Sequence, residues 1–419
     1  MSNVNEHNEN NSNEKESIFT QEDVPTEEDE VDDSTNPDFA FSSWDDENVQ
    51  LSRALLRGIY GYGFEKPSPI QKRAIIPMVR GRDIIAQAQS GTGKTGAFTI
   101  GTLQLIDHKS KTTQAIIVSP TRELSRQTHD VLVSISSMLK TKVQLLIGGT
   151  STEEDITKLK DDTPHIIVGC PGRIHDMARR KHIDSKTVKL IVLDEADEML
   201  STGFKEQIYN IFQYLKNDVQ IGLFSATMPS ELHVLTEKFM RDPIKILVKQ
   251  EMLTLEGIAQ YYIGVEDDGQ KYMTLKDIFS IISLSQCIIY CNSVKRVTDL
   301  YEAMLEDKFP VCTIHSGMER EDRTKSYEEF KQGKYRVMIS SNVTARGIDI
   351  QQVSTVINFD IPKCVHTYLH RIGRSGRWGR KGIGINFVTR RDVAKIKMIE
   401  QHYGTEIREM PQNFNDGVY

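Results

Sequence analysis

With 419 residues, 26% of them charged and 38% apolar, the chain is long enough for two or three domains at roughly 150 residues each. No stretch of about eighteen apolar residues runs without a charge, and Met1 to Asn13 is polar and acidic, which excludes a membrane-spanning helix, a secretory signal and a transit peptide. The five cysteines (Cys170, Cys287, Cys291, Cys312, Cys364) form no Cys-x-x-Cys pair, so a reducing compartment, the cytoplasm, fits better than a disulfide framework or a zinc cluster.

The formal net charge of −7 combines two unlike parts. Residues 1–40 hold 13 Asp and Glu against one Lys, a net of −12, so the rest carries 46 acids and 51 bases, a net of +5. With few large apolar side chains, residues 1–40 cannot bury enough surface to offset their ordering entropy. They are predicted to be a disordered acidic tail whose plain role is solubility.

Past Phe41 one rhythm repeats: a short apolar run, a polar or glycine-rich turn, then a longer amphipathic stretch. Strands are predicted at Asp83–Ala86, Ala115–Ser119, Val143–Ile147, Ile166–Gly169, Leu190–Leu193 and Ile221–Phe224. After a break over Arg241–Gly257, carrying Asp242-Pro243 and Leu255-Glu256-Gly257, they resume at Cys287–Tyr290, Val311–Ile314, Arg336–Ile339, Thr355–Asn358 and Ile383–Val388. Ile, Leu and Val on both faces of these runs call for helices on two sides, such as Thr121–Leu139 and Val294–Asp307. The fold class is therefore α/β, with two parallel-sheet domains in tandem. Most of the polar clusters below follow a strand's carboxyl end, where such sheets bind ligands.

The first cluster, Ala88-Gln89-Ser90-Gly91-Thr92-Gly93-Lys94-Thr95, joins a strand to a helix. Gly91 and Gly93 let backbone N–H groups turn toward a phosphate, Lys94 brings a point charge, and the Thr95 hydroxyl can ligate Mg2+. In Asp194-Glu195-Ala196-Asp197, after the strand Leu190–Leu193, Asp194 can reach the metal and Glu195 can orient or deprotonate an attacking water. In His370-Arg371-Ile372-Gly373-Arg374-Ser375-Gly376-Arg377, Arg374 and Arg377 are spaced to face one cleft and meet the charge on a γ-phosphoryl group when the domains close.

These motifs, with Ser225-Ala226-Thr227, stand in the order and spacing of the DEAD-box ATP-dependent RNA helicases of superfamily 2, which residues 44–411 resemble. Leu56-Arg57-Gly58-Ile59-Tyr60, Gly203-Phe204-Lys205-Glu206-Gln207-Ile208-Tyr209 and Leu253-Thr254-Leu255-Glu256-Gly257-Ile258 look most like the eukaryotic initiation factor 4A group. The resemblance implies two RecA-like domains: a helicase ATP-binding domain at 72–246, preceded by an adenine-reading segment at 41–71, and a C-terminal domain at 257–419 beyond a linker at 247–256. It implies ATP and Mg2+ as cofactors, with Phe64 and Gln71 at the adenine and Trp44 or Phe41 as a stacking aromatic. Asp349 would contact the ribose.

RNA would lie along Pro120, Thr121, Arg122, Gly148, Gly149, Gly172, Arg173 and Ser341, groups that read phosphates without sequence preference. Ser225, Thr227, Asp197 and His370 would couple RNA to hydrolysis. The expected protein is a monomer that binds single-stranded RNA and ATP cooperatively and separates strands locally, with an initiation factor 4G-like helical-repeat scaffold as partner. The rival readings are an ATP-locked RNA clamp with slow turnover and a translocating DNA helicase. Four places depart from the family pattern: Cys170 for threonine, His315-Ser316-Gly317 for His-Gly-Asp, Arg320 for glutamine, and Ser341-Asn342 for Thr-Asp. Asn342 keeps the shape of aspartate, loses its charge, and is expected to weaken contacts at the domain interface.

Overall fold

The computed structural model describes residues 39–88, 91–201, 203–247, 258–281, 286–342, 353–375 and 382–411. In the first domain α1 (Arg53–Tyr62) and α2 (Pro69–Val79) precede β1 (Ile84–Gln87), α3 (Lys94–Leu105), β2 (Ala115–Val118), α4 (Arg122–Ile135), β3 (Val143–Leu146), α5 (Thr152–Asp161) and β4 (Ile166–Gly169). It continues through α6 (Pro171–Arg179), β5 (Leu190–Asp194), α7 (Ala196–Ser201), α8 (Lys205–Tyr214), β6 (Gln220–Ser225), α9 (Ser230–Phe239) and β7 (Ile244–Leu247). The second domain runs β8 (Ile258–Gly264), α10 (Asp268–Ile281), β9 (Cys287–Tyr290), α11 (Val294–Glu306), β10 (Val311–Ile314), α12 (Arg320–Lys331) and β11 (Val337–Ser340). It ends with β12 (Thr355–Asn358), α13 (Val365–Ile372), β13 (Gly382–Val388), α14 (Val393–Tyr403) and β14 (Arg408–Glu409).

Among the described residues each domain holds one seven-stranded parallel sheet, ordered β3-β4-β2-β5-β6-β1-β7 in the first and β10-β11-β9-β12-β13-β8-β14 in the second. Counted within each domain, the two orders are identical. Alternation sends Leu190 and Val192 of β5 into one apolar layer while Ile191 and Leu193 enter the layer on the other face. In β9, Ile288 and Tyr290 face one layer and Cys287 and Ile289 the other.

The predicted runs all became strands, but three strands were not predicted. β7 lies inside the expected break, β8 opens the second domain, and β14 is two residues long. The segment 41–71 packs onto the first domain, where Phe41, Trp44, Leu55, Ile59 and Ile70 share an apolar layer with Ile84 and Phe98. Trp44 is 1% exposed and Phe41 4%, their rings 5.8 Å apart, so both are core residues and neither is the stacking aromatic expected at the adenine. α1 lies against α4 because Gly58 has no side chain: a Cβ there would fall 1.8 Å from the Ile135 carbonyl oxygen. Residues 1–38 and most of the linker, 248–257, lie outside the described residues.

Candidate active site

The turn after β1 leads straight into α3. Gly91 (φ +85°) and Gly93 (φ +105°) take left-handed conformations that L side chains rarely adopt, and Gly93 is the N-cap of α3. Lys94 is buried, its Nζ donating to the Ala88 carbonyl at 2.7 Å and lying 3.5 Å from Glu195 Oε1. Gln89 and Ser90 lie outside the described residues. Gln71 closes the loop from behind: its Oε1 accepts from the Ser68 N–H at 2.7 Å and its Nε2 donates to the Gly93 carbonyl at 3.3 Å. Gly96, which the motif reading passed over, makes room for this, because a Cβ there would lie 2.4 Å from Gln71 Nε2 and 2.9 Å from Phe64 Cε2.

Asp194 ends β5 and is 2% exposed, with its Oδ2 buried and unpaired. Burial, and then the neighbouring Glu195 carboxylate, push its pKa up to about 8. Glu195 holds a left-handed φ of +51°, a strained position for a side chain of its size, and its Oε2 is likewise buried without a partner. Two unsatisfied buried carboxylate oxygens, on Asp194 and Glu195, fit a hard divalent cation with oxygen ligands.

Asp197 joins the two domains. Its N–H donates to Ser225 Oγ at 3.4 Å, its Oδ2 accepts from Thr227 Oγ1 at 2.7 Å, and the same oxygen lies 3.3 Å from His370 Nε2 of α13. Ser225 Oγ in turn donates to the Thr227 carbonyl at 2.7 Å. Arg374 is buried just past α13, its Nε donating to the His370 carbonyl at 3.2 Å. Arg377 and Asp349 lie outside the described residues. A second bridge between the domains, absent from the motif reading, is the 2.6 Å ion pair of Arg323 on α12 with Glu123 on α4.

The turns assigned to RNA follow β2, β3 and β4, which are neighbours, so they share one edge of the sheet. After β2 come Pro120, Thr121 and Arg122, with Thr121 Oγ1 accepting from the Leu124 N–H as the N-cap of α4. Gly148 stands against the Arg122 guanidinium, with room for a Cβ only 3.3 Å from its Nη2, and Gly149 has φ +85°. Gly172 lies in the first turn of α6, and a Cβ there would meet nothing within 4 Å. Arg173, expected to present its charge, is instead bonded to Asp155 Oδ2 at 2.5 Å and to the Thr150 carbonyl at 3.0 Å, bracing the turn beyond Gly149. Cys170 holds the N-cap position of α6 without a side-chain capping bond; its thiol lies 3.5 Å from Ser125 Oγ and burial raises its pKa to about 11. Ser341 is buried at the end of β11. Asn342 does not act across the interface as expected: its Oδ1 accepts from Arg371 Nε (2.9 Å) and Nη2 (2.7 Å) inside the second domain.

Residues 68–235 match the DEAD/DEAH box helicase family and residues 270–379 the helicase conserved C-terminal domain. Eukaryotic initiation factor 4A of Caenorhabditis elegans is 50% identical over 381 residues, 91% of this chain and 94% of that protein. The chain belongs to the DEAD-box ATP-dependent RNA helicases. The ATP-dependent RNA helicase FAL1 of Mycosarcoma maydis is also 50% identical, over 87% of this chain and 92% of that protein. Among solved structures, Saccharomyces cerevisiae Dbp5 bound to RNA and ADP BeF3 matches with a TM-score of 0.82 and 33% identity, covering 87% of this chain and 95% of that one. That overlap takes in both domains, so these two helicases share their relative placement as well as their folds. Membership of this family removes the DNA-helicase reading. Among the described residues no helix is long and apolar enough to cross a membrane.

Proposed function

We propose that the chain hydrolyses ATP when its two domains close on ATP and single-stranded RNA, using closure to separate or remodel RNA locally in translation initiation or mRNA metabolism. The observation that carries this reading is the Asp197 carboxylate, which one hydroxyl of the first domain and one imidazole of the second both approach. A hydrolytic centre wired to both domains turns over only when they meet.

The division of labour follows from the chemistry of each group. Lys94 leaves the Ala88 carbonyl and Glu195 for the phosphates of ATP, which frees the Glu195 carboxylate to orient the attacking water and accept its proton. Thr95 and Asp194 would hold Mg2+, which when bound supplies charge neutralisation on the triphosphate. Arg374, with Arg377, meets the charge that develops on the transferring phosphoryl group. Phe64 and Gln71 face the adenine, Gln89 to Thr95 cradle the phosphates, and Asp349 reaches the ribose. Pro120, Thr121, Arg122, Gly148, Gly149, Gly172 and Ser341 hold the RNA backbone, with Arg173 bracing them. Ser225 and Thr227 carry its presence to Asp197. An adenine-reading segment at 41–71 packed onto an ATP-binding domain at 72–246, a linker at 247–256, a C-terminal domain at 257–419, a monomeric state, a cytoplasmic location and a 4G-like helical-repeat partner complete the proposal.

Glu195→Gln tests it. The variant should bind ATP and RNA together and stall before hydrolysis, leaving RNA clamped. Release of RNA at the wild-type rate in the presence of ATP would overturn the assignment of Glu195.

A further inference from the structure

Arg371 is fully buried, yet among the described residues its guanidinium touches no carboxylate. Its five N–H groups go to four neutral oxygens. Nε and Nη2 share Asn342 Oδ1, Nη2 also reaches Asn292 Oδ1 at 2.8 Å, and Nη1 reaches Asn358 Oδ1 at 3.1 Å and the Asp360 carbonyl at 2.8 Å. The carboxamides are turned this way by their own donors. Asn292 Nδ2 bonds the Ile361 carbonyl, and Asn358 Nδ2 bonds Asn386 Oδ1. The carboxylate of Asp360, whose carbonyl Arg371 contacts, is itself held by Arg296 at 2.6 Å and by Lys271 at 3.1 Å. Burial pushes the Arg371 pKa down to about 10, against the smaller opposing pull of Tyr290, Cys291 and Asp360.

These acceptors come from the carboxyl ends of β9, β11 and β12, three adjacent strands, while Arg371 lies on α13 directly after His370 and three residues before Arg374. One side chain therefore pins the helix that delivers both interface groups to the sheet that supports it. We propose that Arg371 is a positioning residue for hydrolysis, and that the neutral carboxamide of Asn342 sets how firmly it presents His370 and Arg374 to the first domain. This rests on the function proposed above. A buried cation held by neutral dipoles gains less than one held by a carboxylate, which would add the attraction of a full negative charge across the same bonds. Asn342 is itself exposed, so a carboxylate there would stay hydrated on one side while meeting the same two N–H groups.

The experiment uses the full chain as wild type, Asn342→Asp and Arg371→Lys. Steady-state ATP hydrolysis over an RNA titration is recorded with thermal melting and with dyes reporting the distance between domains. Asn342→Asp should lower the half-saturating RNA concentration about fivefold and enlarge the closed fraction at sub-saturating RNA, with kcat at saturation changed less than about twofold. Arg371→Lys keeps the charge but loses the planar fork. It should lose at least about tenfold in RNA-stimulated turnover. If Asn342→Asp raises the melting temperature but leaves or raises half-saturating RNA, Arg371 is a structural residue only and the inference falls. Full RNA-stimulated turnover in Arg371→Lys overturns it too. A wild-type protein without RNA-stimulated hydrolysis would instead sink the proposed function.

Discussion

The contact between Asp197 and His370, 173 residues apart in sequence, is the sharpest place to test how closure is tied to chemistry. Both side chains are nearly fully buried, at 3% and 1% exposure. No water shell is ready to replace a lost partner. A hydrogen bond to a charged group contributes about 1.5 to 3 kcal/mol, and 1.4 kcal/mol is about tenfold in an equilibrium. Asp197→Ala and His370→Ala should each lower RNA-stimulated kcat/KM by about ten- to a hundredfold. Asp197→Ala should be the worse of the two because it also strips the 2.7 Å bond from Thr227. The double variant is decisive. If the two groups act through each other, it should be no more impaired than Asp197→Ala, giving a coupling energy of about 1.5 kcal/mol or more in the cycle. Losses that simply add, to within about 0.5 kcal/mol, would refute the link, since additivity is the behaviour of independent sites.

Gly58→Ala should destabilise the first domain by about 1 to 3 kcal/mol, the usual range for overpacking, because its Cβ would collide with the Ile135 carbonyl, whereas Gly61→Ala on the same helix meets nothing within 4 Å and should be neutral or slightly stabilising by thermal melting. Asp194 must ionise to ligate a metal, so Mg2+-dependent ATP affinity should rise between pH 6 and 8 by up to about tenfold per unit and level off above; a flat profile would show that Asp194 is already ionised. The same raised pKa, against 3.8 for the unconstrained side chain, means that the metal-free first domain should lose stability as pH climbs from about 4 through 8, measured by denaturant unfolding at each pH. Removing residues 1–38 should tighten RNA binding at low salt and matter much less above roughly 0.15 M, where the Debye length is about 8 Å; equal affinities across the salt series would leave the tail as a solubiliser.

The chemistry written contiguously could be read from the sequence alone. The phosphate loop needs its glycines and Lys94 within a few residues. Asp194 to Asp197 follows a run apolar on both faces, and buried parallel strands can hardly be anything else. Strands lacking that run escaped notice: β7 is a four-residue edge strand, and β8 carries Gln260, Tyr261 and Tyr262 with most positions only half-buried. The spacing of Trp44 and Phe41 said nothing about which way their rings point, and only packing against α1 and α3 settled that both belong to the core. Arg173 read as a phosphate contact because its partner Asp155 lies 18 residues away on another helix. The neutral cage around Arg371 is the clearest case of what tertiary structure alone decides. Its acceptors at 292, 342, 358 and 360 have no pattern in sequence, and they converge only because β9, β11 and β12 end side by side. The residue types were legible; which of them spend their hydrogen bonds on one another was fixed by the order of the strands.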